Sequence, residues 1–319
     1  MLHLPLSLMS PPGARGRLSI LIFHRVLPER DPLIPELPTA SEFAANMQWV
    51  REWFNVLPLG DAITRLYAGR IPTRALAITF DDGYADNEQI AAPILRGLGL
   101  TATFFISTGF LDDGCMWNDR VIEAIRRART PEIDLQALGL AAYPLGSDAQ
   151  RRSAVLAILG GIKHLEPGKR QSATEAIVAA AGDEASPAMM MDRQQLRSLR
   201  KLGMDIGAHT VTHPILSRLN SDAAREEMSA SKRELERVID ERVELFAYPN
   251  GVPRQDYSAE HAAMARDCGF SAAVSTAWGA ASTHSDRYQL PRFSPWDRTR
   301  LRYGARMLAN LARGHATTA

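Results

Sequence analysis

Runs of apolar residues along the chain alternate with segments in which apolar residues recur every three or four positions. Residues 18–23, 75–80 and 101–106 are almost entirely apolar or β-branched, as in strands that are buried on both faces of a parallel sheet. The segments between them have the spacing of helices that bury one face. This alternation predicts parallel strands joined by right-handed helical crossovers, and therefore an α/β fold.

The same pattern resumes after residue 190 and brings the total to roughly seven strand–helix units. Further strands are predicted at 204–208, 243–248, 271–275 and 288–293. Helices are predicted at 41–50, 61–66, 85–97, 192–202, 222–239, 259–268 and 299–311. Ser41 and Asp61 are the expected N-caps of the first two helices, because short polar side chains accept hydrogen bonds from free backbone N–H groups there.

The strand–helix rhythm is interrupted between residues 110 and 190, where mostly helical patterns follow one another. We interpret residues 1–319 as one domain, with a barrel core at 17–295, a mostly helical insertion at 110–190 and a C-terminal helix and tail at 298–319. The insertion fits a lid or substrate wall as well as it fits an extension of the helical shell.

Composition is that of a soluble globular protein, with 45% hydrophobic and 23% charged residues among 319. The net charge of +1 gives no reason to expect a nucleic-acid partner. Cys115 and Cys268 are far apart and lack the spacing of metal ligands. We interpret them as inert thiols rather than a disulfide, which favours a reducing compartment over an oxidising one.

The first 16 residues lack a basic region and are interrupted by Pro5, Pro11 and Pro12, so they do not fit a signal peptide. No segment reaches the roughly 18 unbroken apolar residues that a membrane span needs. We therefore predict a cytoplasmic protein without an integral membrane segment. The basic helix at 299–311 is expected to pack on the barrel, with weak attraction to anionic lipid surfaces as the alternative.

A pair of acids ends the strand at 75–80. Asp81 and Asp82 follow its last apolar residue, and Gly83 allows a turn after which both carboxylates can face one cleft. Two adjacent carboxylates resist ionising together unless a cation neutralises one of them. Taken alone, the triplet fits a solvated turn equally well, but its place at a buried strand end favours a metal site.

Two histidines follow the strand at 204–208. His209 and His213 are four residues apart, so we expect them to converge on one side of a helical turn, where imidazoles suit a divalent ion. An Asp and two His with open positions are typical of hydrolytic metal sites. The zinc proteases carry a glutamate base after the first histidine, whereas Thr210 stands there. Asp81 is therefore the candidate base.

Together these stretches resemble the NodB-type polysaccharide deacetylases, carbohydrate esterase family 4. The family's first motif, Thr-Phe-Asp-Asp-Gly, is present at 79–83, and its second, His-Ser/Thr-x-x-His, at 209–213. Its third motif, Arg-x-Pro-x-Gly, is matched by Pro-Asn-Gly at 249–251, while Ala247 stands at the arginine position. The resemblance covers residues 17–295. It implies a distorted (β/α)7-type barrel, the NodB homology fold, with its site at the C-terminal ends of the strands.

The resemblance also implies roles for individual residues. Asp82, His209 and His213 would hold a divalent metal ion, with Zn²⁺ preferred, and Asp81 would remove a proton from water. The backbone N–H near Asn250 would stabilise the oxyanion. The partner implied is an N-acetylated saccharide, as substrate.

The general acid of this family is a histidine in a late Leu-x-His motif, which we do not find near the C-terminus. A circularly permuted subset of these enzymes places that histidine first, and Phe-His-Arg-Val at 23–26 resembles its motif. His24 is therefore the candidate acid, although a histidine at a strand end is often only structural. Arg25 is expected to form a structural salt bridge.

Two further residues are candidates for substrate positioning. Because Ala247 replaces the motif arginine, Arg292 is the candidate for orienting Asp81, the alternative being a purely structural arginine at a strand end. Trp117 could stack on a sugar ring, although tryptophans in such positions more often belong to the core.

The sequence favours a metal-dependent hydrolase that removes N-acetyl groups from an amino-sugar-containing saccharide or glycan precursor. One alternative is an amidohydrolase acting on a small non-sugar amide. The other is a carbohydrate-binding protein with an inactive site, against which the intact acids and histidines argue.

Overall fold

The computed structural model describes residues 2–112, 114–183, 188–313 and 317–319. Its strands, in chain order, are β1 (Leu18–Phe23), β2 (Asn55–Val56), β3 (Ala75–Phe80), β4 (Thr103–Ile106), β5 (Glu132–Asp134), β6 (Ala142–Pro144), β7 (Asp205–Ala208), β8 (Leu245–Ala247) and β9 (Ala272–Val274). Its α-helices are α1 (His3–Met9), α2 (Ala40–Trp53), α3 (Leu59–Tyr67), α4 (Ala92–Gly97), α5 (Trp117–Arg127), α6 (Asp148–Ile162), α7 (Pro167–Ala180), α8 (Arg193–Lys201), α9 (Ser221–Ile239), α10 (Ala259–Asp267) and α11 (Arg300–Ala312).

The main sheet is parallel and curled, with the strand order β1-β3-β4-β7-β8-β9, and β2 pairs with β3 beside this path. The sheet is closed by the extended segment 290–293, which bridges to β9 at Leu290↔Val274 and to β1 at Phe293↔Leu21. Sequence patterning predicted a regular last strand here, but the segment forms isolated bridges. The predicted α/β fold of the (β/α)-barrel type is confirmed, since helices surround this curled parallel sheet.

Alternate residues of β3 belong to two different environments. Leu76, Ile78 and Phe80 join the large cluster that packs the sheet against the surrounding helices. Ala75 and Ala77 join a second cluster, which contains other sheet residues and the apolar face of α3. Because side chains alternate along a strand, Thr79 and Asp81 continue the second set toward the C-terminal end of β3. The strand pattern thus determines which way Asp81 points.

Several helix starts differ from the sequence expectation. Thr39, not Ser41, caps α2, and it forms a capping box with Glu42. The second helix begins at Leu59 after Pro58, so Asp61 lies in its first turn and is not the cap. Thr39 is the N-cap because Glu42 lies three residues later and completes the reciprocal pair of hydrogen bonds.

The segment between β4 and β7 packs around its own apolar cluster. Helices α5, α6 and α7 and the antiparallel β5–β6 hairpin contribute to it, together with Leu33 from the loop after β1. Arg126 of α5 also binds Asp31 of that loop, with an Nη2–Oδ2 distance of 2.6 Å. The insertion is therefore fastened to the loop that follows β1. Within the described residues, no helix combines the length and apolar character needed to cross a membrane.

Candidate active site

A cavity of about 300 Å³ lies at the C-terminal ends of the barrel strands. Its lining includes the candidates from four strand ends and from the insertion, namely His24, Asp81, Asp82, Trp117, His209, His213 and Asn250. Parallel strands present their C-terminal ends at one edge of the barrel, so residues far apart in sequence meet there. The fold brings seven of the eight candidates to one cavity, and the eighth, Arg292, lies behind it.

The turn after β3 exposes both acids to the same region. Asp82 adopts φ = 76° and Gly83 φ = 94°, a left-handed conformation that glycine enters without steric cost. A Cβ atom at Gly83 would also lie 3.1 Å from Cγ2 of Ile106. The glycine is needed for this turn, and the turn brings Asp82 alongside Asp81.

His209 and His213 do not lie on a helical turn, contrary to the sequence expectation. They belong to a loop in which Thr210 has φ = 65° and His213 has φ = 53°. Residues in this left-handed conformation reverse the chain direction, which brings the two imidazoles together with ring centroids 4.9 Å apart. The His-x-x-x-His spacing indicated the convergence correctly, but the backbone reaches it by a different path.

Glu227 of α9 supports the loop 209–213, which we call the histidine loop. Its Oε2 accepts hydrogen bonds from the backbone N–H groups of Val211 (2.7 Å) and Thr212 (2.9 Å), and its Oε1 accepts one from the Thr212 hydroxyl (2.6 Å). Sequence patterning placed α9 as a solvated helix and gave no sign of this role. A charged acceptor satisfies donors that the irregular loop would leave unpaired.

Asp82, His209 and His213 form a cluster whose candidate ligand atoms all lie within 4.8 Å of one another. Nε2 of each histidine is 3.4 Å from Oδ1 of Asp82. That oxygen is buried and has no hydrogen-bond partner among the described residues, a costly arrangement for a carboxylate. The Nδ1–H of His209 donates to the carbonyl oxygen of Ala247 at 2.7 Å, which leaves Nε2 available as a ligand. These residues fit a divalent cation.

The protonation states of Asp82 and His213 also suit a cation. Burial opposes ionisation of Asp82, but the neighbouring His209 and His213 hold the pKa of its carboxyl well below the ordinary value. Burial lowers the pKa of His213 to about 3, so its imidazole is neutral at pH 7. An ionised carboxylate and a neutral imidazole are the protonation states that metal ligands require.

Asp81 is ionised for a different reason. Burial opposes its charge, but the Arg292 guanidinium holds the pKa of the carboxyl below its ordinary value. Arg292 donates from Nη1 to Oδ1 and from Nη2 to Oδ2, both at 2.7 Å. The arginine is fully buried and further donates to the carbonyl of Ser275 and the hydroxyl of Thr79. Arg292 therefore contacts Asp81 from the barrel interior and does not line the cavity, so it holds Asp81 rather than the substrate.

The remaining candidates lie around the cavity in different settings. His24 follows β1 and is exposed, while its neighbour Arg25 forms an ion pair with Asp86 at 2.8 Å. Asn250 has φ = 59°, and its carbonyl oxygen accepts from the Thr276 hydroxyl at 2.8 Å. Trp117 is partly buried against the insertion cluster, and the Arg170 guanidinium covers its ring at 5.0 Å from the centroid. Trp117 is thus both a packing residue and part of the cavity wall.

This geometry can be compared with that of known proteins. The model of the polysaccharide deacetylase family matches residues 68–273. The chain belongs to the polysaccharide deacetylase family. It is 23% identical over 279 residues to YxkH of Bacillus subtilis (strain 168), a polysaccharide deacetylase by name, with 87% of this chain and 71% of YxkH covered.

Solved structures show the same fold. The deacetylase PplD of Streptococcus pyogenes, in complex with acetate, matches with a TM-score of 0.60 at 18% identity, covering 93% of this chain and 99% of PplD. IcaB from Ammonifex degensii matches with a TM-score of 0.56 at 16% identity, covering 92% of this chain and 98% of IcaB. The predicted membership of a hydrolytic deacetylase family and the predicted barrel are confirmed by these matches.

We expect Glu227→Ala to weaken binding of a divalent metal by about 10- to 100-fold, the usual effect of losing a group that supports metal ligands. The histidine loop would lose three hydrogen bonds to one carboxylate while its ligands remain. A Zn²⁺ titration against a competing chelator measures the affinity. Glu226→Ala is the matched control, because Glu226 is the preceding residue on α9 and contacts Arg233 and the Ser229 hydroxyl on the surface, away from the histidine loop. Equal affinity in the two variants would show that Glu227 does not position the loop.

We expect Arg292→Met to reduce the free energy of unfolding at pH 7 by about 3–5 kcal/mol, because it leaves the Asp81 charge buried without a partner. The low pKa of Asp81 in the folded chain stabilises the protein above the ordinary carboxyl pKa of about 3.9, and this contribution disappears as the pH falls through the folded value. In the variant, burial without a counter-ion raises the pKa of Asp81, so protonation relieves the penalty as the pH falls. The stability difference between wild type and variant should therefore shrink between pH 7 and pH 4 in urea unfolding. A difference independent of pH would mean that packing, and not charge, is lost.

Proposed function

We propose that this protein is a metal-dependent hydrolase that removes N-acetyl groups from an amino-sugar-containing saccharide. The observation that carries the proposal is that the two adjacent acids lie in different environments, each suited to a different role. Oδ1 of Asp82 is buried beside two histidines with no hydrogen-bond partner among the described residues. Asp81 is kept ionised by the guanidinium of Arg292 and lines the same cavity. One acid is thus suited to bind a metal and the other to accept a proton.

The proposed metal site consists of Asp82, His209 and His213. One carboxylate and two imidazoles with space for water and substrate suit Zn²⁺ or a similar divalent ion. Such an ion would polarise the acetamide carbonyl and lower the pKa of water.

The chain's own residues supply the remaining chemistry. Asp81, kept ionised by Arg292, accepts the proton of the attacking water as general base. No described residue accepts a hydrogen bond from the backbone N–H of Asn250, which is therefore available to the developing oxyanion. His24, exposed at the cavity rim, donates a proton to the departing amine. Amide cleavage needs that proton because a free amide anion is a very poor leaving group.

The relatives support an acetylated carbohydrate as the substrate class. The family is that of polysaccharide deacetylases, and acetate, the product of deacetylation, is the ligand named for the PplD structure. An amidohydrolase for small non-sugar amides would use the same machinery, so substrate comparison must separate the two. An inactive carbohydrate-binding protein has no need for an ionised base held beside a metal-binding triad.

Acetate release tests the proposal directly. The wild-type protein loaded with Zn²⁺ should release acetate from N-acetylglucosamine oligomers faster than from acetamide or N-acetylated amino acids. Asp81→Asn should keep one equivalent of metal yet lose roughly 10²–10⁴ in kcat, as expected for removal of a general base. His213→Ala, which removes a ligand, should lose the metal. Faster turnover of the small amides would favour the amidohydrolase, and unchanged kcat in Asp81→Asn would remove Asp81 from the mechanism.

The role of His24 predicts a difference between two kinds of substrate. An activated acetyl ester has a leaving group that needs no proton, whereas the amine of an acetamide does. His24→Ala should therefore depress kcat on the amide and largely spare the ester, with metal content unchanged. Both rates and the metal content should be measured on one preparation. Equal losses on ester and amide would show that His24 is not the general acid.

A further inference from the structure

A second, larger concavity adjoins the active-site cavity. This groove has a volume of about 970 Å³ and is lined by the loop 35–38 on one side and by residues 294–299 with the start of α11 on the other. His24 lines both the groove and the cavity. A ligand that extends from the cavity past His24 therefore enters the groove.

Trp296 is the outstanding feature of this groove. Its side chain is 53% exposed, and among the described residues every other exposed large hydrophobic side chain is aliphatic. An exposed tryptophan in a concave surface is a recurrent sign of ligand recognition, since burying an indole contributes strongly to binding.

The indole of Trp296 is held in place by its neighbours. The Arg306 guanidinium lies 3.6 Å from the ring centroid, and Arg306 is itself fixed by an ion pair with Asp297. The ring of Trp278 packs against it with centroids 5.1 Å apart. A ring fixed before binding loses little conformational freedom when a ligand covers its open side.

Charges in the groove are mostly compensated, which bears on the class of ligand. Arg25 pairs with Asp86, Arg298 with Glu42, and Arg306 with Asp297. Arg302 also lines the groove and has no ion pair among the described residues. The groove therefore offers an aromatic face bordered by paired charges, as suits the C–H face and hydroxyl groups of an uncharged sugar ring. An anionic lipid surface would instead require a cluster of unpaired cations.

We propose that this groove is a second saccharide subsite, in which Trp296 stacks on a further sugar ring of the same saccharide whose acetamide occupies the cavity. The inference rests on the proposed function and specifies its substrate as an oligosaccharide. Saccharides long enough to reach Trp296 gain an additional contact, whereas a monosaccharide held in the cavity does not.

The test compares chain lengths in matched variants. For β-1,4-linked N-acetylglucosamine oligomers of one to five units, Trp296→Ala should lower kcat/KM on the longer members by about 2- to 12-fold, equivalent to 0.5–1.5 kcal/mol for an aromatic contact. The value for the monosaccharide should not change, and Trp296→Phe should recover part of the loss. Leu301→Ala is the control, because Leu301 is 82% exposed in the same region and does not line the groove.

A binding measurement separates this proposal from the proposed function. The Asp81→Asn variant should bind the pentamer more tightly than the monomer in calorimetry, and adding Trp296→Ala should abolish that gain. Length-dependent binding without acetate release from wild type would uphold the subsite and refute the proposed function. A loss of kcat/KM in Trp296→Ala that is equal at all saccharide lengths, or no loss at any length, would overturn the subsite. Trp296-dependent binding to anionic phospholipid vesicles, in place of length-dependent saccharide binding, would also overturn it.

Discussion

The ion pair between Arg292 and Asp81 connects barrel closure to the candidate chemistry. Arg292 lies in the segment that bridges β9 to β1, and its guanidinium crosses the barrel interior to the end of β3. Burying two charges costs several kcal/mol per ion, which is offset here by bidentate geometry and by the additional bonds to Ser275 and Thr79. The segment that closes the barrel thereby also fixes the orientation and charge of Asp81.

Backbone strain is concentrated around the same cavity. Among the described residues, eight non-glycine residues have positive φ, and four of them are Asp82, Thr210, His213 and Asn250. Each such conformation costs on the order of 1–3 kcal/mol and persists only where its surroundings enforce it. Glu227 enforces it in the histidine loop, and the Thr276 hydroxyl holds the carbonyl of Asn250. The strain directs side chains inward at positions where regular strands would turn them away.

Sequence patterning could predict the parts of this arrangement that depend on local periodicity. The buried run at 75–80 and the acids that follow it correspond to β3 and its turn. The helical turn expected for His209 and His213 was wrong, because spacing of four residues does not distinguish a helix from a loop with left-handed residues. Glu227 could not be identified, since its bonds reach across 15 or more positions in sequence to a backbone that has no pattern of its own. Arg292 was found only because Ala247 left a role unfilled.

Ala247 supplies the site with a backbone carbonyl group but, unlike the arginine of the family motif, with no charge. Its carbonyl oxygen holds Nδ1–H of His209, while the guanidinium comes from Arg292 on the other side of Asp81. Burial opposes protonation of His209, but Asp81 and Asp82 raise the pKa of its imidazole, so a proton and a cation would compete for this side chain. Because the charge of Arg292 compensates that of the ionised Asp81, the negative charge left for a divalent ion is that of Asp82. The occupied site would carry one net positive charge, which would favour negative charge that develops on an amide oxygen.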